Sequence, residues 1–195
     1  MPDQARSRRV LPWLLLAGAV TLLDQWTKAL VVAHLSDGGA IAYNPIFSLV
    51  LAYNPGAAFS FLAGAGGWQR SLFIVIALVA VIAIAVLLWR AREDSLFCAS
   101  LAFILGGALG NLLDRIRIGE VVDFLLFHYQ AWAFPAFNLA DSAITLGAAL
   151  LIYDSLRGRT DERRDDEQRA HEHRAGAVGR DAPAGTPDSS NLSER

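Results

Sequence analysis

The apolar positions of this chain gather into four runs, at residues 12–33, 71–89, 96–113 and 137–153. The second, Ser71 to Trp89, has 19 residues without a charge, close to the ~20 that a helix needs to cross a bilayer. The other runs are slightly short or carry polar residues, and they gain weight as members of a set. Four transmembrane helices are predicted. The first run follows Arg6, Arg8 and Arg9 and contains Ala17-Gly18-Ala19, as a cleaved signal peptide would. Its apolar pattern continues to Ala33, which favours a retained helix. Between the first two helices, Ile46 to Tyr53 is rich in Phe, Val, Leu and Tyr and lies between Asn-Pro pairs at 44–45 and 54–55. This segment reads as a strand, so a small sheet resting at the bilayer surface is expected.

Composition supports a membrane body. Of 195 residues, 54% are hydrophobic and the mean hydropathy is +0.36, above the roughly 45–50% apolar content of a soluble domain. The net charge of −2 hides an uneven distribution. Of 17 Lys and Arg, three precede residue 10 and eight follow residue 156, so the middle offers no nucleic-acid surface. The single cysteine, Cys98, excludes an intrachain disulfide and reads as a packed thiol. Residues 157–195 hold eight Arg, nine acids and no aromatic residue, the composition of a disordered tail. His171-Glu172-His173 within it lacks the spacing of a zinc protease motif. The expected organisation is an N-terminal segment 1–11, a four-helix membrane domain 12–156 and a charged tail 157–195.

With the N-terminus inside, the inner segments hold Arg6, Arg8, Arg9, Arg90, Arg92, Arg157, Arg159, Arg163 and Arg164, against Arg70, Arg115 and Arg117 outside. The excess places both termini in the cytoplasm. The same orientation gathers the unusual polar residues into one layer. Asp24 lies ~18 Å into helix 1 at 1.5 Å per residue, so Asp24 and Lys28 fall in the outer leaflet. Asn54 lies in the first outer loop. Asn111, Asp114 and Arg115 end helix 3, Asp123 follows in the outer loop, and Asn138 and Asp141 open helix 4.

Each group has a structural and a chemical reading. Asp24 and Lys28 stand at i, i+4, acid first, the favourable order for an ion pair on one helix. A neighbouring carboxylate keeps lysine charged, which makes Lys28 a poor base. Asn54-Pro55-Gly56-Ala57-Ala58-Phe59 is either a turn closing a strand or an amide offered to a peptide backbone. Gly106 and Gly110 have GxxxG spacing and read as close helix packing. Asn111 and Asp114 share a helix face, and Arg115 carries a planar fork suited to a carboxylate or a substrate carbonyl. An acid at the edge of a bilayer is costly and marks a functional site. Asp123 and Asp141 are the pair singled out: brought together, they would share a proton. One would then deprotonate water and the other protonate the leaving amine of a cleaved peptide. The structural alternative is two interfacial carboxylates satisfied by Arg115 and Arg117. Ser142 and His128 form no serine-nucleophile pattern, the Gly-x-Gly-Asp signature is absent, and Asp154 reads as a cap at the inner end of helix 4.

Taken together, five blocks resemble the lipoprotein signal peptidases, the bacterial signal peptidase II family. They are Asp24-Gln25-Trp26-Thr27-Lys28, Asn54-Pro55-Gly56-Ala57-Ala58-Phe59, Gly110-Asn111-Leu112-Leu113-Asp114-Arg115, Val121-Val122-Asp123-Phe124 and Phe137-Asn138-Leu139-Ala140-Asp141. They occur in the family's order over residues 10–155. The resemblance implies an α-helical integral membrane protein with four transmembrane helices and a small extracytoplasmic sheet. It implies a metal-independent, cofactor-free aspartyl endopeptidase of the bacterial cell membrane. The expected substrate is a prolipoprotein cut just before its diacylglyceryl-modified cysteine. It further implies that Asp123 and Asp141 are catalytic. Asn54, Gly56, Asn111, Arg115 and Asn138 line or hold the site, and Asp24, Lys28 and Asp114 shape it. A monomer surrounded by membrane lipids is expected. The rival readings are a small proton-coupled transporter, which would usually show internal repeats and midplane polar groups, and a structural adaptor, which leaves Asp123 and Asp141 without a reason.

Overall fold

The computed structural model describes residues 2–35, 39–56, 68–91 and 94–157. In chain order these form α1 (Pro2–His34), β1 (Ala40–Asn44), β2 (Phe47–Asn54), α2 (Trp68–Arg90), α3 (Ser95–Arg117), β3 (Val121–Tyr129), β4 (Trp132–Ala133) and α4 (Leu139–Arg157). By internal contacts the chain divides into Met1–Asp154 and Ser155–Arg195, and the site lies wholly in the first unit. The tail beyond Arg157, with His171 and His173, lies outside the described residues, as do Ala57, Ala58 and Phe59.

All four apolar runs are helices long and apolar enough to span a membrane, and the chain is a multi-pass membrane protein. The helices outrun the apolar stretches, because backbone hydrogen bonding continues where hydropathy has already fallen. Thus α3 extends to Arg117. α4 continues to Arg157, so Asp154 lies within that helix and does not end it, contrary to its reading as a cap. At the other end of α3, Asp94 is a true N-cap, its carboxylate accepting the N–H groups of Leu96 and Phe97 at 2.9 and 3.1 Å.

α3 is the central helix. More than half of its apolar stretch is buried, against 6% for α2, whose Val75, Ile76, Val79 and Ile82 face outward. Missing side chains let the neighbours approach α3. A Cβ on Gly106 would strike the Ala17 carbonyl and the Val20 side chain of α1, and one on Gly107 would strike the Ala140 carbonyl of α4. Gly147 of α4 returns the contact, lying against the Ser100 carbonyl of α3.

The four strands form an antiparallel sheet in the order β1-β2-β3-β4. β2 is the strand read from sequence, shifted by one residue. β3 is a correction: Asp123 was expected in a loop and sits instead on a strand paired with β2, opposite Ala52. Its residues Val121 to Phe124 are all buried, so the segment lacks the polar–apolar alternation by which a half-exposed strand announces itself. The register shifts between Leu49 and Ala52. Past this bulge, Asn54 pairs with Val121, which makes Asn54 the diagonal neighbour of Asp123 on the same face. Phe47 and Phe127 pack ring to ring at 5.2 Å, and Phe127 stacks on Phe137 at 6.0 Å, tying the sheet to the chain that enters α4.

Candidate active site

α4 begins with a capping box. Asn138 is its N-cap: Oδ1 accepts the backbone N–H of Asp141 at 2.9 Å, while Asp141 Oδ2 accepts the N–H of Asn138 at 3.3 Å. Each satisfies a donor that the first turn of a helix leaves without an internal partner. The acid of the box is therefore Asp141. The Asn138 side chain also donates Nδ2 to Asp123 Oδ1 at 2.7 Å and to the Val122 carbonyl at 3.2 Å. One fully buried residue thus binds both carboxylates and brings together β3 and α4.

Donor and acceptor logic fixes which way the amides point. A group that can only donate must face an amide oxygen, which turns the NH2 the other way. The Asp141 N–H holds Oδ1 of Asn138, so its NH2 faces Asp123. The Gly56 N–H holds Oδ1 of Asn54 at 3.0 Å, so the Asn54 NH2 reaches Asp123 Oδ2 at 3.1 Å. The Lys28 ammonium holds Oδ1 of Asn111 at 3.0 Å, so the Asn111 NH2 reaches Asp141 Oδ1 at 2.8 Å. Three asparagines, each oriented by a donor, present N–H bonds to two carboxylates. This replaces the structural reading in which Arg115 and Arg117 satisfy the acids: Arg117 bonds Gln25 Oε1 at 3.0 Å.

Beneath the pair lies a buried charged group. Lys28 Nζ stands 2.8 Å from Asp24 Oδ2 and 2.8 Å from Asp114 Oδ2. With Asn111 this gives all three ammonium hydrogens an acceptor, so Lys28 has no lone pair to offer as a base. Asp24, with no exposed surface, uses its other oxygen to accept the N–H of Ala140 at 2.9 Å. An acid of α1 therefore caps the first turn of α4 at the residue between the two ends of the box. Gly110 makes room for it, since a Cβ there would meet Asp24 Oδ2 at 2.5 Å. Asp114 also accepts the Val122 N–H at 3.3 Å, anchoring β3. Gln25 donates Nε2 to Asp114 Oδ1 at 2.8 Å and to the Gly110 carbonyl at 3.2 Å. Sequence reasoning gave Gln25 no role, and only its place beside Asp24 hinted at one.

Arg115 bonds carbonyls of its own chain. Its Nη2 donates to Gly56 O at 3.1 Å and its Nη1 to Asn111 O at 3.3 Å. The turn that follows β2 is thereby fixed to α3, and Gly56 holds the Asn54 amide from the other side. All ten residues singled out from the sequence belong to this one assembly. Among the described residues, no buried side-chain nitrogen or oxygen lacks a hydrogen-bond partner.

Asp123 is 3% exposed. Burial, and then the charge of Asp141, push its carboxyl from an ordinary 3.8 up to about 6, against the opposing bonds from Asn54 and Asn138. A carboxyl that keeps its proton toward neutrality beside a second carboxylate supplies an acid and a base in one place.

Comparisons with known proteins give the family of the chain. Residues 16–157 match the family model described as signal peptidase (SPase) II. The chain is 55% identical over 146 residues to a lipoprotein signal peptidase of Paraburkholderia phymatum, covering 75% of this chain and 88% of that one. It is 56% identical over 146 residues to the lipoprotein signal peptidase of Burkholderia mallei, with the same coverage. A bacterial membrane enzyme solved by the in meso method at 2.3 Å superposes with a TM-score of 0.70 at 30% identity, over 77% of this chain and 90% of that one. A second, solved the same way at 1.9 Å, gives a TM-score of 0.65 at 31% identity, over 74% and 92%. The chain belongs to the signal peptidase II family.

Proposed function

We propose that this protein is a membrane aspartyl endopeptidase that removes signal peptides from prolipoproteins, cutting just before the diacylglyceryl-modified cysteine, with Asp123 and Asp141 as its catalytic pair. The observation that carries the assignment of residues is Asn138, whose side-chain amide bonds the Asp123 carboxylate while its backbone N–H bonds that of Asp141. Carboxylates eighteen residues apart in sequence are thereby made neighbours, and each keeps lone pairs for a water and a substrate. Asp123 is buried whereas Asp141 is half-buried, and burial favours the neutral carboxyl, so the shared proton is assigned to Asp123. Asp141 is then the base that takes a proton from water as the water attacks the scissile carbonyl. Asp123 hydrogen-bonds the carbonyl oxygen and later gives its proton to the departing amine. Asn54, Asn111 and Asn138 hold both carboxylates in place throughout, and the group formed by Lys28, Asp24 and Asp114 holds Asn111, the first turn of α4 and β3.

The arginine bias places both termini in the cytoplasm and the catalytic layer at the outer face of the bacterial cell membrane. This suits the chemistry. Acyl chains and an apolar signal helix anchor such a substrate in the lipid, and its scissile bond is presented where lipid gives way to water. The protein is expected to work as a monomer among membrane lipids. Family membership gives no support to the transporter alternative. The test is cleavage by the full chain of one precursor with and without the diacylglyceryl group, in the presence of a metal chelator, with the cut mapped by mass spectrometry. Cleavage of the lipidated form alone, before its cysteine, is expected. A cut elsewhere, or dependence on added metal, would contradict the proposal.

A further inference from the structure

Among the described residues, no α2 side chain is hydrogen-bonded to the two carboxylates, yet the first turns of α2 grip Arg115 twice. The Phe73 ring lies against the guanidinium, with Cζ 5.5 Å from the ring centroid, within the range of a cation–π contact. Arg70, one turn earlier, donates Nε to the Arg115 carbonyl at 3.2 Å and Nη2 to the Ile116 carbonyl at 2.9 Å. These carbonyls end α3 and have no partner inside the helix, and the cation also opposes the negative end of the helix dipole. Gly119 is shaped to admit Arg70. Its φ is +88°, and a Cβ there would come within 3.2 Å of the Arg70 Nη1.

The need for such a grip is electrostatic. Arg115 feels the charges of Asp141, Asp123 and Asp114. A guanidinium with free rotation beside two carboxylates would fork onto one of them, the strongest pairing open to it, and would neutralise the group that must take a proton. Instead it is directed to the Gly56 carbonyl. We infer that Phe73 and Arg70 are positioning residues that hold Arg115 on Gly56 and off Asp123 and Asp141, so that α2 serves the site through Arg115. The inference rests on the two acids being the catalytic pair.

The experiment compares the wild-type full chain with Phe73→Leu, Phe73→Trp and Arg70→Met on a lipidated precursor. It measures kcat and KM, with membrane abundance as a control. Leucine keeps the apolar bulk of position 73 and removes the π face; tryptophan restores the face. Phe73→Leu and Arg70→Met are expected to lower kcat on the order of tenfold with KM within about twofold of wild type. Phe73→Trp is expected to recover most of the loss. Wild-type kcat in Phe73→Leu, or equal losses in the leucine and tryptophan variants, would overturn the inference. If Phe73→Leu fails to accumulate, Arg70→Met decides, and wild-type kcat in that variant overturns it. A wild-type chain that cleaves nothing refutes the proposed function instead, so the two failures are distinct.

Discussion

Asp123 is nearly withdrawn from water, and its carboxyl binds a proton more tightly in the folded protein than in the unfolded chain. The sign follows from linkage: the raised value stabilises the fold fully below about pH 4, and this contribution disappears as pH rises through about 6. Above that, the fold carries a buried charge, a swing of about 3 kcal/mol. The thermal midpoint of the wild-type protein in detergent should therefore fall relative to that of Asp123→Asn as pH is raised from 4 to 7. Parallel pH dependences would contradict the assignment of that shift to Asp123. Lys28 makes a second prediction at this scale. Lys28→Met removes the cation between Asp24 and Asp114 and leaves two buried acids without it, a loss of about 3–5 kcal/mol readable as a lower midpoint. An unchanged midpoint would show that the charges are not coupled as the 2.8 Å distances imply. Both acids were legible in the sequence because ionisable groups at the edge of apolar runs are expensive. That Asn138 joins them was not, because only tertiary structure brings β3 beside α4.

The first turn of α4 shows how an element places a reactive group. Asn138 and Asp141 cap each other, Asp24 holds the N–H between them, and Gly110 lets Asp24 in. Gly110→Ala should cost about 1–3 kcal/mol through overpacking and reduce cleavage, because the carboxylate it displaces holds α4. Gly18→Ala on α1 is the control: nothing lies within 4 Å of a Cβ there, and cleavage should be unchanged. Equal activities of the two variants would count against the trans-cap. The GxxxG pair was readable as packing, and both of its glycines do face α1. Gly107, which admits α4, carried no pattern of its own. β3 escaped notice for a related reason: burial on both faces removes the alternation on which strand recognition depends, whereas β2 is flanked by Asn-Pro pairs that mark its ends.

Over the whole molecule, the positive-inside rule predicts that nearly all the unusual polar residues of the membrane body share one layer, and the structure joins the ten candidate site residues into a single assembly. Hydropathy located the four helices because each must satisfy its backbone within lipid, a constraint that local sequence alone expresses. It could not assign helix partners, since lipid-facing and protein-facing apolar residues look alike: α2 and α3 are similar runs, yet one faces outward and the other is the centre. The charged segment 158–195 lies beyond the residues matched to the family, and its removal should leave cleavage of a lipidated precursor within about twofold of the full chain. A dead truncation would give that segment a part in catalysis.

The pairing of Asp123 with Asp141 is tested most directly by replacing each with asparagine, nearly the same size but unable to exchange the proton, and measuring cleavage of a diacylglyceryl-modified precursor at equal membrane abundance. Both Asp123→Asn and Asp141→Asn should abolish cleavage while the protein still accumulates. Wild-type cleavage by either variant would contradict the account.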